Sequence, residues 1–309
     1  MFFLINGEGS SGIGELRVQL EARANRLDAI EAATRIVEAE VSCKSVGRGG
    51  MPNILGTMQF DASILDGQTL RCGAVGALEH TPHALTVARQ VMERLPHVFL
   101  VGAGADRFAR EIGVAAEPAL TDDARAKWEQ WVGDSRAELE RPDAPLAPWL
   151  GTSIDISYKL PEARPKDTVV TLVRDHTGHC ASGASTSGWD FKYPGRVGDS
   201  PIIGAGHYAD SRYGTAACTH TGEMTIRTCA AHSVVMNMKA GMSPKQAVTD
   251  VGNELRRLTG GHIGTVVIYA VNAEGEHYVA TTGDAASYYF WREGTPEIAH
   301  LSALPLELT

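Results

Sequence analysis

The sequence predicts a layered α/β sandwich, and three observations lead there. Short apolar runs of β type alternate with segments whose apolar residues recur at helical spacing. The first half runs helix, strand, helix and the second strand, helix, strand, so amphipathic helices flank strand pairs on both sides. The chain has 309 residues, 43% of them hydrophobic, enough to bury the core of one large domain or two small ones.

The elements follow in order. Residues 2–6 read as a buried first strand; the run has no basic flank and is cut short by Asn6-Gly7-Glu8, which argues against a signal peptide. Residues 15–41 carry Leu16, Leu20, Ala24, Leu27, Ile30, Ala33, Ile36 and Val37 on one stripe, a long helix with a break expected near Asn25. A glycine-rich turn occupies 46–52. Strands are expected at 57–65 and 69–76, joined by Asp66-Gly67, the strongest hairpin signal in the chain. Helix 82–95, strand 97–102 and helix 104–112 come next, then a charged helix at 120–141. Residues 142–167 hold five of the fourteen prolines with little periodicity and read as an exposed linker. Beyond it strands are expected at 168–174, 178–185, 263–271, 277–282 and 285–291, and helices at 224–240 and 244–258.

Composition excludes several classes. A net charge of −9 argues against a nucleic-acid binder and against an anionic membrane surface as partner. No apolar run reaches the roughly 20 residues of a membrane span. Five scattered cysteines without a CxxC pair suit a reducing cytoplasm rather than a disulfide framework. Val101-Gly-Ala-Gly-Ala-Asp106 lacks the third glycine of a dinucleotide fingerprint and reads as a strand-to-helix turn. His176 and His179 flank a turn without further converging ligands, so no metal is expected. No G-x-S-x-G elbow is present. Cysteines are expected to pack as apolar residues, with Cys218, just before Thr219, the one to watch.

The chemistry concentrates between Lys166 and Glu223. Thr168 opens an apolar β-type run straight after the linker. Threonine is a weak nucleophile, but if the bond before it is cut, its own α-amino group, with a pKa of about 7.7–8.0, can serve as general base. Arg196 and Asp199, three apart among glycines, suit the carboxylate and ammonium of an amino acid. Residues 219–223 precede a predicted helix, whose N-terminal N–H groups favour developing negative charge.

Asp167-Thr168, Thr186 in Ala-Ser-Thr-Ser-Gly, Gly195-Arg196-Val197-Gly198-Asp199-Ser200-Pro201 and Thr219 together resemble the glycosylasparaginase (aspartylglucosaminidase) family of N-terminal-nucleophile hydrolases. Ser45-Val-Gly-Arg-Gly-Gly-Met-Pro-Asn-Ile-Leu-Gly56, Asp61-Ala-Ser-Ile-Leu-Asp-Gly67, Gly73-Ala-Val-Gly76 and Leu100-Val-Gly102 extend the resemblance over nearly the whole chain, most weakly in 1–15 and 120–165.

The resemblance implies an α+β fold, a four-layer αββα sandwich forming one domain over 1–309. It implies a precursor that cuts itself between Asp167 and Thr168 into an α-chain, 1–167, and a β-chain, 168–309, held as an αβ heterodimer or (αβ)2, with no cofactor. Thr168 would be the nucleophile, Thr186 would tune it, and Thr219 with the backbone N–H of His220 would form the oxyanion hole. Arg196 and Asp199 would hold the amino-acid end of a small-molecule amide, a β-aspartyl or N4-substituted asparagine. The same residues would serve an L-asparaginase, an isoaspartyl peptidase or another small-amide hydrolase. An unprocessed, catalytically silent amino-acid-binding homologue is the alternative of a different class.

Three positions depart from the family's pattern. Lys166 stands where a histidine is usual before Asp167, and His220 replaces the glycine after Thr219. Glu8 aligns with a tryptophan beside the substrate. The amino-acid end of the pocket stays intact while its walls change, so small or amine-bearing β-aspartyl amides are expected to be preferred over glycosylated asparagine. Glu8 either pairs with a basic group or favours a hydrogen-bond-donating substrate.

Overall fold

The computed structural model describes residues 1–138 and 168–306; the expected linker, with Lys166 and Asp167, lies outside the described residues. The strands form two sheets. The first contains β1 (Phe2–Asn6), β2 (Phe60–Asp66), β3 (Cys72–Leu78), β4 (Phe99–Val101), β5 (Val169–Arg174), β6 (Cys180–Thr186), β11 (Ser287–Arg292) and β12 (Ala299–Ser302). Their order across the sheet is β12-β11-β1-β5-β6-β2-β3-β4. The second contains β7 (His207–Asp210), β8 (Gly214–His220), β9 (Val266–Asn272), β10 (His277–Thr281) and β13 (Leu304–Pro305), in the order β13-β10-β9-β8-β7.

The period-two pleat makes four layers of these two sheets. In β1, Phe3 and Ile5 face a helical layer while Phe2 and Leu4 face the other sheet. In β5, Val169 and Val173 point to the helices and Val170 and Leu172 inward. In β9, Val266, Ile268 and Ala270 meet a second helical layer, and Val267, Tyr269 and Val271 meet the first sheet. Helices α1 (Ile13–Glu21), α2 (Arg26–Ala39), α3 (Ala84–Arg94) and α4 (Gly102–Glu111) cover the first sheet. Helices α6 (Gly222–Thr228), α7 (Ala230–Lys239) and α8 (Pro244–Arg256) cover the second. The expected αββα sandwich is the observed architecture. Gly73 shows how closely the layers approach: a Cβ there would lie 2.0 Å from the Ala88 carbonyl of α3. Among the described residues no helix is long and apolar enough to cross a membrane.

Several element boundaries differ from expectation for local reasons. The N-terminal helical stretch does break where expected, at Asn25, whose side chain accepts from Leu27 N and caps α2, so it forms two helices. The helix expected at 224–240 is also two, broken at Cys229, whose φ of 48° is left-handed. The hairpin after Asp66 is real, but its turn runs on to Arg71, with the Asp66 carbonyl accepting from Leu70 N. The short β7, β12 and β13 were not expected, nor was β8. Its Gly-Thr-Ala-Ala-Cys-Thr-His sequence is small on both faces and shows no polar–apolar alternation. The segment after Val101 is a plain strand-to-helix turn, β4 into α4. Helix α5 (Asp122–Glu138) lays Trp131 flat on Phe191, with ring centroids 4.5 Å apart.

At the far end of the first sheet, Arg26 is buried between two carboxylates, 2.6 Å from Asp66 and 2.9 Å from Asp175. Burial works against both acids, but hydrogen bonds from Thr69 and Thr177 and the Arg26 fork outweigh it and hold both below the usual carboxylate range. Arg26→Met leaves two buried carboxylates unpaired and is expected to destabilise the fold by about 3–5 kcal/mol. Urea unfolding at pH 7 measures this, and a loss within experimental error of zero would assign the triad no structural weight. Both acids have lowered folded-state values, so their contribution is present above the unfolded pKa of about 3.9 and fades as pH falls through the folded values. The gap between wild type and variant should therefore narrow at acid pH.

Candidate active site

Thr168 is buried at the mouth of β5. β5 pairs with β6 so that Val169 faces Ser185; one residue further, the same register sets Thr168 beside Thr186. Asn6, the last residue of β1, grips this start from both sides. Its Nδ2 donates to the Thr168 carbonyl at 2.6 Å and its Oδ1 accepts from Val170 N at 3.0 Å. The Thr168 hydroxyl oxygen lies 3.2 Å from the hydroxyl of Ser200.

Thr186 donates to the Ser45 carbonyl at 3.2 Å and accepts from Gly188 N at 2.9 Å. Ser45 is the junction of this wall. Its carbonyl also accepts from Ser187 N and Oγ, and its hydroxyl donates to Glu8 Oε2 at 2.9 Å. Cys43 reaches the same Glu8 oxygen at 3.1 Å. Burial, then the Glu8 charge, push the Cys43 thiol up to about 12. Among the described residues Glu8 has no basic partner; its carboxylate organises two neutral donors instead.

The segment 195–200 crosses above β2 and hangs from buried charge. Asp61 accepts from Ala77 N at 2.8 Å and from Gly198 N at 3.4 Å, and Lys192 Nζ stands 3.6 Å from it. Lys192 is fully buried and donates to the Gln59 carbonyl; burial holds its ammonium below the ordinary lysine range. Arg196 lies over the Trp189 ring at 4.3 Å. Its Nε and Nη2 grip Glu223 at 2.9–3.0 Å. Among the described residues Nη1 makes no hydrogen bond, and Gly198 leaves it room, since a Cβ there would stand 2.9 Å away. Asp199 is buried and accepts from Thr225 Oγ1 at 2.7 Å. Gly222 permits its close approach, since a Cβ there would stand 2.8 Å from Oδ1. Burial pushes the Asp199 carboxyl up to about 6 despite Thr225 and Arg196.

Thr219 ends the fully buried run of β8, its hydroxyl 2.9 Å from His220 Nδ1 and 3.5 Å from the Tyr269 hydroxyl. His220 has φ 84°, a conformation natural to glycine and strained for an imidazole-bearing residue. Its carbonyl accepts from Trp189 Nε1 at 3.5 Å. Cys218 is buried, and burial and then the Asp199 charge push its thiol up, which disfavours a thiolate there.

The structure thus joins Arg196 and Asp199 on one segment, sets Thr168 beside Thr186, and ties Thr168 to that segment through Ser200. Asn6, Ser45, Ser200, Glu223 and Thr225 were not anticipated as site residues. Glu223 and Ser200 stood inside recognised motifs, but their partners lie 27 and 32 residues away, beyond the reach of spacing arguments.

An ionised Asp199 is held against its burial. The same carboxyl titrates near 3.8 when unperturbed, so the folded state binds the proton more tightly. Its contribution to stability is complete below about pH 4 and is lost as pH rises through about 6. Asp199→Asn, which still accepts from Thr225, is expected to gain about 1–3 kcal/mol at pH 8. That gain should shrink through pH 6 and vanish near pH 4. Urea midpoints across this range test it, and a pH-independent difference would contradict it.

A family model described as "Asparaginase" matches residues 13–297. The N(4)-(beta-N-acetylglucosaminyl)-L-asparaginase of Elizabethkingia miricola is 35% identical over 257 residues, 81% of this chain and 69% of that protein. The isoaspartyl peptidase of Salmonella typhimurium is 37% identical over 257 residues, 83% of this chain and 77% of that one. A probable isoaspartyl peptidase/L-asparaginase of Arabidopsis thaliana is 31% identical over 316 residues, covering 94% and 88%. The extent of these matches and the fold agree, and the chain belongs to the asparaginase family of N-terminal-nucleophile hydrolases as a divergent member.

Proposed function

We propose that this chain is a self-processing N-terminal-threonine amidohydrolase that cleaves the side-chain amide of a β-aspartyl or N4-substituted asparagine substrate. The observation that carries this reading is Thr168 at the start of a central strand, its carbonyl clamped by Asn6 and its hydroxyl against Ser200. The relatives' names, which join glycosylasparaginase, isoaspartyl peptidase and asparaginase, support an amide of the asparagine type.

In the precursor, Thr168 Oγ attacks the Asp167 carbonyl carbon, the peptide C–N bond breaks, and the nitrogen leaves protonated as the α-amine. Water then hydrolyses the resulting ester, leaving 1–167 and 168–309 associated. In turnover the neutral amine takes the Thr168 hydroxyl proton as Oγ attacks the substrate amide carbonyl. The Thr219 hydroxyl and the His220 N–H stabilise the oxyanion. The leaving amine departs with a proton, and water cleaves the β-aspartyl ester on Thr168. Thr186, fixed by Ser45 and Gly188, lies beside the nucleophile and tunes it. Arg196 takes the substrate α-carboxylate on its Nη1 side while Glu223 holds the other, and Asp199 takes the α-ammonium.

Intact mass measurement is expected to show fragments 1–167 and 168–309, with Thr168→Ala remaining whole and inactive. Cleavage at another bond, or turnover by the variant, would remove Thr168 from its role. The pH profile carries a second expectation. The free enzyme needs both an ionised Asp199, near 6, and a neutral α-amine, near 7.7–8.0. The acid limb of kcat/KM should therefore bend twice, and that of kcat only once, because bound ammonium keeps Asp199 ionised.

The His220 ring beside Thr219 and the Glu8 carboxylate, which has no basic partner among the described residues, favour small or amine-bearing leaving groups. The kcat/KM for a small β-aspartyl amide is expected to exceed that for glycosylated asparagine. His220→Gly, which also relieves the backbone strain, should narrow the gap. A wild-type preference for the glycosylated amide, unchanged in His220→Gly and Glu8→Gln, would overturn the assignment of these two residues.

A further inference from the structure

His207 belongs to β7 of the second sheet, is fully buried, and reaches across to the first. Its Nδ1 lies 2.7 Å from Ser182 Oγ in β6 and its Nε2 lies 2.6 Å from Ser63 Oγ in β2. Ser63 Oγ is also 2.5 Å from the Ser200 carbonyl. A carbonyl can only accept, so the single Ser63 proton goes to Ser200. Ser63 must then accept from His207, which places the ring proton on Nε2. Nδ1 keeps its lone pair and accepts from Ser182. Burial pushes the ring down to about 3, so it is neutral near physiological pH and this arrangement of protons is stable. The chain Ser182, His207, Ser63, Ser200 therefore donates in one direction, and it ends on the residue whose hydroxyl faces Thr168. Beneath β1 and β9 the same inter-sheet layer is filled with apolar side chains, so packing alone calls for no imidazole here.

We propose that His207 is a positioning residue for the reaction, acting through Ser63 and the Ser200 backbone to hold the Ser200 hydroxyl against Thr168. The proposal rests on Thr168 being the nucleophile. It assigns function to a histidine that touches neither substrate nor nucleophile and takes no part in proton transfer.

The test is a set of double-mutant cycles on mature protein, reading kcat, KM and thermal midpoint. Ser63→Ala and His207→Gln are each made alone and with Ser200→Ala. Alone, each is expected to lower kcat about tenfold, since small misplacements of reacting groups are costly. KM should stay within about twofold, because residues 196 and 199 are untouched. In the Ser200→Ala background the same changes should alter kcat by less than about twofold, while lowering the thermal midpoint as before. Equal kcat losses in both backgrounds, or an effect confined to KM or thermal midpoint, overturn the proposal. If His207→Gln does not fold, Ser63→Ala and Ser182→Ala carry the same test from either side of the ring. Thr168→Ala separates the two readings. Turnover retained there removes the nucleophile itself, whereas turnover lost there with additive kcat losses elsewhere removes only the role of His207.

Discussion

Successive side chains of a strand point to opposite faces, and in β1, β5, β6, β8 and β9 both faces are covered. That constraint governs the molecule. A polar group on these strands is shielded from water and costs free energy unless it finds a partner across a sheet, along a loop or on a helix; among the described residues the Thr171 and Thr215 hydroxyls have no hydrogen-bond partner. Over most of the sandwich the answer is apolar side chains. Along β2, β6 and β7 the inter-sheet layer becomes polar, with Asp61, Ser63, Ser182 and His207 paired to one another or to the 195–200 segment. The candidate site sits where that polar layer reaches the strand ends.

The site is held by charges kept out of water. Lys192 and Asp61 support the backbone of Gly198, and the Glu223 carboxylate orients Arg196 over Trp189. Asp199 is held at the opposite cost, a carboxylate in a setting that favours its neutral form. A buried acid that weakens the fold at neutral pH fits the proposed role of receiving a substrate ammonium, which would supply the partner. Arg196 and Asp199 are thus prepared differently, one pre-oriented by an internal anion and the other left short of a cation.

Glu8 and His220, the two positions where the sequence is read as departing from the pattern of the family it resembles, each tie into the surroundings of a candidate site threonine. Glu8 holds the 43–45 turn through Ser45 and Cys43, and that turn in turn fixes Thr186 and Ser187 through the Ser45 carbonyl. Glu8, which the family resemblance implies lies on the substrate side, therefore also builds the shell behind Thr186. His220 combines a left-handed backbone with a ring bound to Thr219. It changes the surroundings of that hydroxyl without removing the backbone N–H.

Strands and helices were legible in the sequence wherever a short run of large β-type apolar residues or a strong helical period marks them, as in β1, β5, α2 and α8. Thr168, Thr186, Arg196, Asp199 and Thr219 could be proposed as a set from the sequence because the short motifs that hold them resemble those of one family. β8 was not legible, since a strand of small residues buried on both faces has no period to detect. Nor were the partners of the site: Asn6 to Thr168, Ser45 to Thr186, Arg196 to Glu223 and His207 to Ser63 are joined across 27 to 162 residues of chain. Local propensity and side-chain chemistry are properties of neighbouring residues, so the sequence alone determined most of the elements and the set of groups from which a site could be proposed. Which donor meets which acceptor, and which carboxylate is stripped of water, depends on how two sheets close on each other, and only the tertiary structure decided that.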